Sequence, residues 1–354
     1  MSKGLHQDLS LQRHRFEIDR VPKCLSATIQ GKVRTGKTNL GSYIARKLFV
    51  NVGIQKFAVF CGNGTCRSDW SKTVPPLYIH GPNIEQLRTL LDTQEKLITE
   101  DRKEFEREHP DLDYSVPIEL CIAVFFDDLG SNKEFMNDKL MKRVATEGRQ
   151  WGVYRIWILQ NFNQLCTEIR DNQDFFITTQ CKNEKVMQKI YEEYVGSKII
   201  PKRAFNAILA AATNKVGTAL LIDNAATTHN PTEMLYYIVF PEVKKQHGLI
   251  GHPKYIEHSM KHYMSRVDMK EVESRKEAVK ELQTSYKQKT SSTSENHYHR
   301  SNNSHKYKPK AMYMTWEEQN EPEESLLKRK AIQQRHGEYT GVDHKGNTFT
   351  VKLT

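Results

Sequence analysis

The sequence predicts an α/β protein: a mostly parallel central sheet flanked by helices, followed by a charged, partly disordered C-terminal extension. Three observations lead there. Apolar runs of strand length recur through residue 240. Several are near-continuous in Val, Ile, Leu and Phe, as strands buried on both faces are. Longer amphipathic stretches separate them, and strands alternating with helices favour a parallel sheet covered on both sides.

Taken in order, residues 25–30 form the first expected strand, and residues 39–49, with Leu40, Tyr43, Ile44 and Leu48 in helical period, the first helix. Strands are expected over 57–61, 77–80, 121–126, 154–159, 175–179 and 218–222, and helices over 84–108, 133–146 and 184–194. The helix over 84–108 carries Glu104, Glu106 and Glu108 among Arg and Lys, which suits a solvated face or a face lining a subunit contact. A last strand is expected over 236–240, after the turn at Asn230-Pro231. Beyond Pro241 the character changes. Residues 270–282 are charged and thin in apolar side chains, a marginal helix at best, and 288–310 are polar and biased, hence disordered. Residues 338–353 alternate short β-prone runs with Thr-Gly and Lys-Gly turns, giving a small hairpin or nothing unless a partner binds.

Composition narrows the functional classes. The apolar fraction of 38% is low for a fully packed chain. Six irregularly spaced cysteines make no disulfide framework, residues 1–20 carry no apolar leader, and no run suits a membrane span. A soluble protein in a reducing compartment is the expectation. The net charge of +10 is uneven: residues 242–310 hold fifteen basic against eight acidic side chains. Such a surplus suits either a polyanionic partner or a solvated tail. Cys61, Cys66 and His80 loosely suggest metal ligands, but no second cysteine pair at zinc spacing accompanies them.

Gly31-Lys32-Val33-Arg34-Thr35-Gly36-Lys37-Thr38 fits the phosphate-binding pattern G-x-x-x-x-G-K-[ST], with a strand before it and a helix after. That context argues against a chance match. The two glycines permit a tight loop, whose N–H groups and following helix dipole favour phosphate. Lys37 is expected on the β- and γ-phosphates, and Thr38 on Mg²⁺. Such a loop also needs carboxylates. Asp127 and Asp128 stand at the carboxyl end of an apolar strand, Asp127 as the metal residue and Asp128 as the base for the attacking water. The pair would serve equally as a helix N-cap. No Asn-Lys-x-Asp run for guanine is present after Asn132-Lys133 or Asn214-Lys215, so ATP is the expected nucleotide. Gln160, at the tip of the strand over 154–159, is placed to contact the γ-phosphate or the lytic water, or is simply the solvent end of that strand.

The glycine loop, Asp127-Asp128, Gly148-Arg149, Ile158-Leu159-Gln160 and Ile169-Arg170-Asp171-Asn172 follow one another in a recognisable order. In this the chain resembles the genome-packaging ATPases of large nucleocytoplasmic DNA viruses, a branch of the FtsK–HerA superfamily of RecA/FtsK-like DNA pumps. The resemblance spans roughly residues 20–240, and the length and charged tail suit an asfarvirus-type member. It implies a homo-oligomeric ring of the hexamer type around double-stranded DNA, in the host cytoplasm at the viral factory or with the virion. A capsid or portal component would be a partner. Gln160 matches the sensor glutamine. Arg149 matches the position that reaches a neighbour's nucleotide, with Arg170 as rival finger. Asp at 128 departs from the Glu that many such pumps carry.

The resulting layout is an N-terminal extension (1–20), a P-loop ATPase domain (21–245), a basic helical or disordered linker (246–310) and a tail with the possible hairpin (311–354). The tail's His297-Tyr298-His299 and His305-Lys306-Tyr307 would meet nucleic acid or capsid, or remain unengaged. The expected activity is ATP-driven packaging of viral DNA. The alternatives are a helicase or conjugation-type DNA pump, and a scaffold that binds nucleotide without hydrolysing it.

Overall fold

The computed structural model of the chain describes residues 7–181, 183–228, 230–241, 248–266, 338–342 and 348–353. Its organising element is β2 (Ser26–Gln30), whose residues are all buried. β2 pairs in parallel with β6 (Val153–Leu159) on one side and with β7 (Phe175–Thr178) on the other. From β6 the parallel pairing continues to β5 (Ile122–Asp127), β3 (Lys56–Cys61) and the short β4 (Ile79–His80). The other half is mixed. β7, β8 (Thr218–Asp223) and β9 (Leu235–Val239) alternate in direction. β1 (Gln7–Arg13) runs parallel to β9 and to β11 (Thr348–Leu353), which pairs antiparallel with β10 (Glu338–Val342). Among the described residues the sheet order is β10-β11-β1-β9-β8-β7-β2-β6-β5-β3-β4.

The alternation along β5 explains its unbroken apolar run. Ala123 and Phe125 pack with Leu40 and Ile44 of α1 (Lys37–Lys47) and Trp70 of α2 (Gly64–Trp70). Ile122, Val124 and Phe126 pack on the opposite face with Leu87 and Leu91 of α3 (Ile84–Glu108) and Val144 of α5 (Lys139–Glu147). β6 divides likewise, Tyr154, Ile156 and Ile158 against Val153, Trp157 and Leu159. A third cluster joins Phe176 and Leu220 to Ile190 of α7 (Glu184–Tyr194) and Ile208 of α8 (Lys202–Ala212). Successive strand residues face opposite sides, so position 127 falls on the side of α1 and α2.

The α/β class with a mostly parallel core is the one expected from the sequence. Several elements differ. The single helix expected over 133–146 is two, α4 (Lys133–Asn137) and α5. Asp138 leaves helical geometry between them, and its carboxylate accepts from Leu140 N at 2.7 Å; Asp favours such a cap over a helix interior. Residues 7–13, expected in an extension ahead of the domain, are strand β1. Only Leu9 and Leu11 are apolar there, too few for a strand period to show. α2 and α6 (Thr167–Asp171) are too short for a helical period. α9 (Pro231–Met234) starts at the Asn230-Pro231 turn, and α10 (Pro253–Arg266) is helix within the basic stretch expected to be helical or disordered. β10 and β11 form the antiparallel pair that was one of two alternatives. Residues 270–282, 288–310 and most of the basic surplus lie outside the described residues. No helix among the described residues is long and apolar enough to cross a membrane.

Candidate nucleotide site

Because β2, β6, β5 and β3 are parallel, their carboxyl ends lie side by side along one edge of the sheet. The loop 31–38 leaves β2 there, with Gly31 N donating to Leu159 O at 3.2 Å. A Cβ on Gly31 would lie 1.8 Å from Thr179 Oγ1, so only glycine permits this approach. Arg34 at φ +67° and Gly36 at φ +85° take left-handed turns that curl the loop into α1. Thr35 braces it, donating to Lys32 O at 2.8 Å and lying 2.7 Å from the Thr179 hydroxyl. The first turn of α1 holds no acidic side chain, so nothing there offsets the positive end of its dipole. Lys37 Nζ donates to Lys32 O at 2.8 Å. Burial pushes this ammonium below its ordinary value of 10.5, while Asp127 and Asp128 push it back up.

Asp127 closes β5 at 2% exposure. Trp70 Nε1 donates to its Oδ2 at 2.9 Å, and the Thr38 hydroxyl hydrogen-bonds the same carboxyl. Burial nonetheless pushes Asp127 above the usual carboxylate range. Strand alternation alone would turn Asp128 to the opposite face. It adopts φ +55° instead, which re-aims it. Its Oδ1 accepts from Gln160 Nε2 at 3.2 Å and its Oδ2 from Asn63 Nδ2 at 2.5 Å. The N-cap reading of the acid pair does not apply, since Asn132 caps α4, accepting from Phe135 N at 3.0 Å. Gly62 stands against this turn, where a Cβ would lie 1.9 Å from Asp128 O.

The fold thus gathers Lys37, Thr38, Asp127, Asp128 and Gln160 beside the glycine loop. A cleft of about 480 Å³ opens along it, lined by Gly31, Lys32 and Val33 with Gln160, Asn161 and Cys181, within the range of small-ligand sites. Thr38 and Asp127 offer a hydroxyl and a carboxylate oxygen side by side, the hard donors Mg²⁺ takes.

Neither arginine joins them. Arg149 Nη2 pairs with Asp174 Oδ1 at 2.8 Å, and Asp174 Oδ2 accepts from Ser26 N, at the far end of β2. Arg170 faces Glu193 at 3.8 Å and Thr167 at 3.4 Å. Cys61 and Cys66 are buried with their sulfurs 3.2 Å apart, and His80 lies against the Phe60 ring. Among the described residues no cluster of three metal-ligating side chains occurs.

Asn63, Trp70 and Thr179 were not anticipated from the sequence. Two of them had a signal: Asn63 and Thr179 each follow the carboxyl end of a parallel strand, where ligands of open α/β sheets bind.

No protein-family model matches the chain, and no curated protein matches it. Solved structures similar to it include the genome packaging NTPase of Sulfolobus turreted icosahedral virus 2 in complex with ATP-gammaS. There the identity is 13% and the TM-score 0.38, over 63% of this chain and 96% of that one. EssC (ATPases 2 and 3) from Geobacillus thermodenitrificans is 12% identical at a TM-score of 0.44, over 68% and 44%. Thermomonospora curvata EccC (ATPases 2 and 3) is 14% identical at 0.40, over 64% and 40%. Likenesses of this size assign no activity, and the chemistry rests on the residues described above.

Proposed function

We propose that the protein is an ATP-hydrolysing motor that moves double-stranded DNA, with packaging of viral DNA into a capsid as its task. The carrying observation is the gathering of Lys37, Thr38, Asp127, Asp128 and Gln160 beside the glycine loop. In this reading the loop Gly31–Thr38 cradles the phosphates, and Lys37 neutralises charge on the β- and γ-groups. Thr38 and Asp127 hold Mg²⁺, which when bound offsets charge building on the phosphate oxygens. Asp128 accepts the proton of the attacking water, and Gln160 orients that water from the neighbouring strand.

A motor works as a homo-oligomeric ring, hexameric in type, with an arginine reaching across each subunit boundary. Arg149 is the first candidate and Arg170 the second. The basic stretch 242–310 suits sequence-independent contact with phosphates. A capsid or portal component is the expected protein partner, at viral factories in the host cytoplasm or in the virion.

The test is displacement of a third strand from a triplex at the end of a long duplex by the full chain with ATP and Mg²⁺. ATP-dependent displacement supports a duplex motor. Activity confined to forked substrates would favour a helicase. ATP binding with neither displacement nor hydrolysis would leave a nucleotide-binding scaffold.

A further inference from the structure

Arg155 is the only charged side chain in β6, and it is 2% exposed. Tyr154 and Ile156 pack on the α1 side of the sheet, so alternation turns Arg155 to the opposite face. There its Nη1 donates to Cys24 O at 3.1 Å and to Val153 O at 3.0 Å. Its Nε is buried without a partner among the described residues. Burial pushes the guanidinium from 12.5 down to about 10, against an upward pull from Asp174. That carboxylate is already shared between Arg149 and Ser26 N, each at 2.8 Å. A buried cation is costly unless it is paired and its remaining protons are satisfied.

Ser26 is the register partner of Arg155 on β2, and its Oγ is likewise buried without a partner among the described residues. A cavity of about 330 Å³ opens at this end of the strands, lined among others by Thr146, Arg149, Arg155, Asp171, Asp174 and Asn224. Arg149 and Asp171 are exposed and Arg155 is buried, so the cavity leads inward from the surface to the second guanidinium. What Arg155 and Ser26 lack is an acceptor, since the Nε proton and the serine hydroxyl both donate. Water would satisfy these donors but leave the charge without a counter-ion. A tetrahedral oxyanion supplies both, with oxygens enough for Arg155, Ser26 and Arg149 together.

We propose that this cavity is a second oxyanion site, at the opposite end of β2 from the glycine loop, which takes inorganic phosphate. Arg155 is its anchor, and Ser26 and Arg149 are further donors. The site needs no hydrolysis, so it stands apart from the motor reading.

The test is calorimetric titration of inorganic phosphate into the full chain at constant ionic strength. Lys37→Ala is present throughout to weaken phosphate binding at the glycine loop. One saturable site is expected, and adding Arg155→Met should abolish it. Adding Ser26→Ala instead should weaken it roughly tenfold, the loss of one hydrogen bond to a charged group. The serine variant leaves the guanidinium in place and serves if the methionine variant does not fold. A parallel titration with ADP tells the free ion from a phosphate carried on a nucleotide; a response to either that Arg155→Met removes supports the site. No saturable binding overturns the proposal. So does binding that a folded Arg155→Met or Ser26→Ala chain retains at full strength, which would place the anion at the glycine loop.

Discussion

Arg149 and Asp174 form a 2.8 Å ion pair at the edge of the sheet opposite the glycine loop. Asp174 is fixed there by Ser26 N, the first residue of β2, whereas the loop leaves the last. The separation is about 17 Å along the strand, so Arg149 does not serve its own chain's loop. Its side chain is 58% exposed, open to a second subunit. On the motor reading, Arg149→Ala and Lys37→Ala chains are each inactive alone. Mixed, they complete roughly a quarter of the boundaries and regain that share of ATP hydrolysis. The same mixing with Arg170→Ala decides between the two arginines; a pair that regains nothing does not act across a boundary.

Asp127 connects metal chemistry to stability. Burial raises its folded-state pKa, so the folded chain favours the protonated form more than the unfolded chain does. Its contribution to stability is therefore present at low pH and lost as pH rises past the ordinary carboxylate value. At neutral pH without Mg²⁺, Asp127→Asn should raise the melting temperature, by about 1–2 °C for each kcal/mol recovered. The same variant should lose Mg²⁺-dependent hydrolysis. Calorimetry with and without Mg²⁺ checks the first, and a turnover assay the second.

His14 sets an acid limit on the fold. It is 1% exposed, and Phe16 N donates to its Nδ1 at 3.2 Å, so the ring is neutral. Burial pushes it from 6.5 down to about 4. An unfolded histidine gains its proton first, so the neutral ring's contribution is complete above pH 6.5 and lost as pH falls towards 4. The loss is about 3 kcal/mol at most. His14→Phe should flatten the pH dependence of urea unfolding in that window; an unchanged slope would place the titration elsewhere.

The glycine loop and the acid pair were legible because their chemistry is contiguous: Gly31, Gly36, Lys37 and Thr38 lie within eight residues, and Asp127-Asp128 end a single apolar run. Asn63 and Thr179 were not, because separate strands carry them and only long-range parallel pairing brings those strands beside β5 and β2. The strand at 7–13 stayed hidden for the same reason, since its partners begin at Leu235 and Thr348. Asp138 did carry a local signal. An Asn-Asp pair inside a helical period marks a cap, and the period alone concealed it.

The most direct measurement is ATP hydrolysis by the full chain with Mg²⁺ and duplex DNA, beside Lys37→Ala and Asp128→Asn. The expected result is duplex-stimulated turnover in the wild type and a loss of about 100-fold or more in each folded variant. Wild-type hydrolysis no faster than that of Lys37→Ala, with duplex present, would contradict the motor.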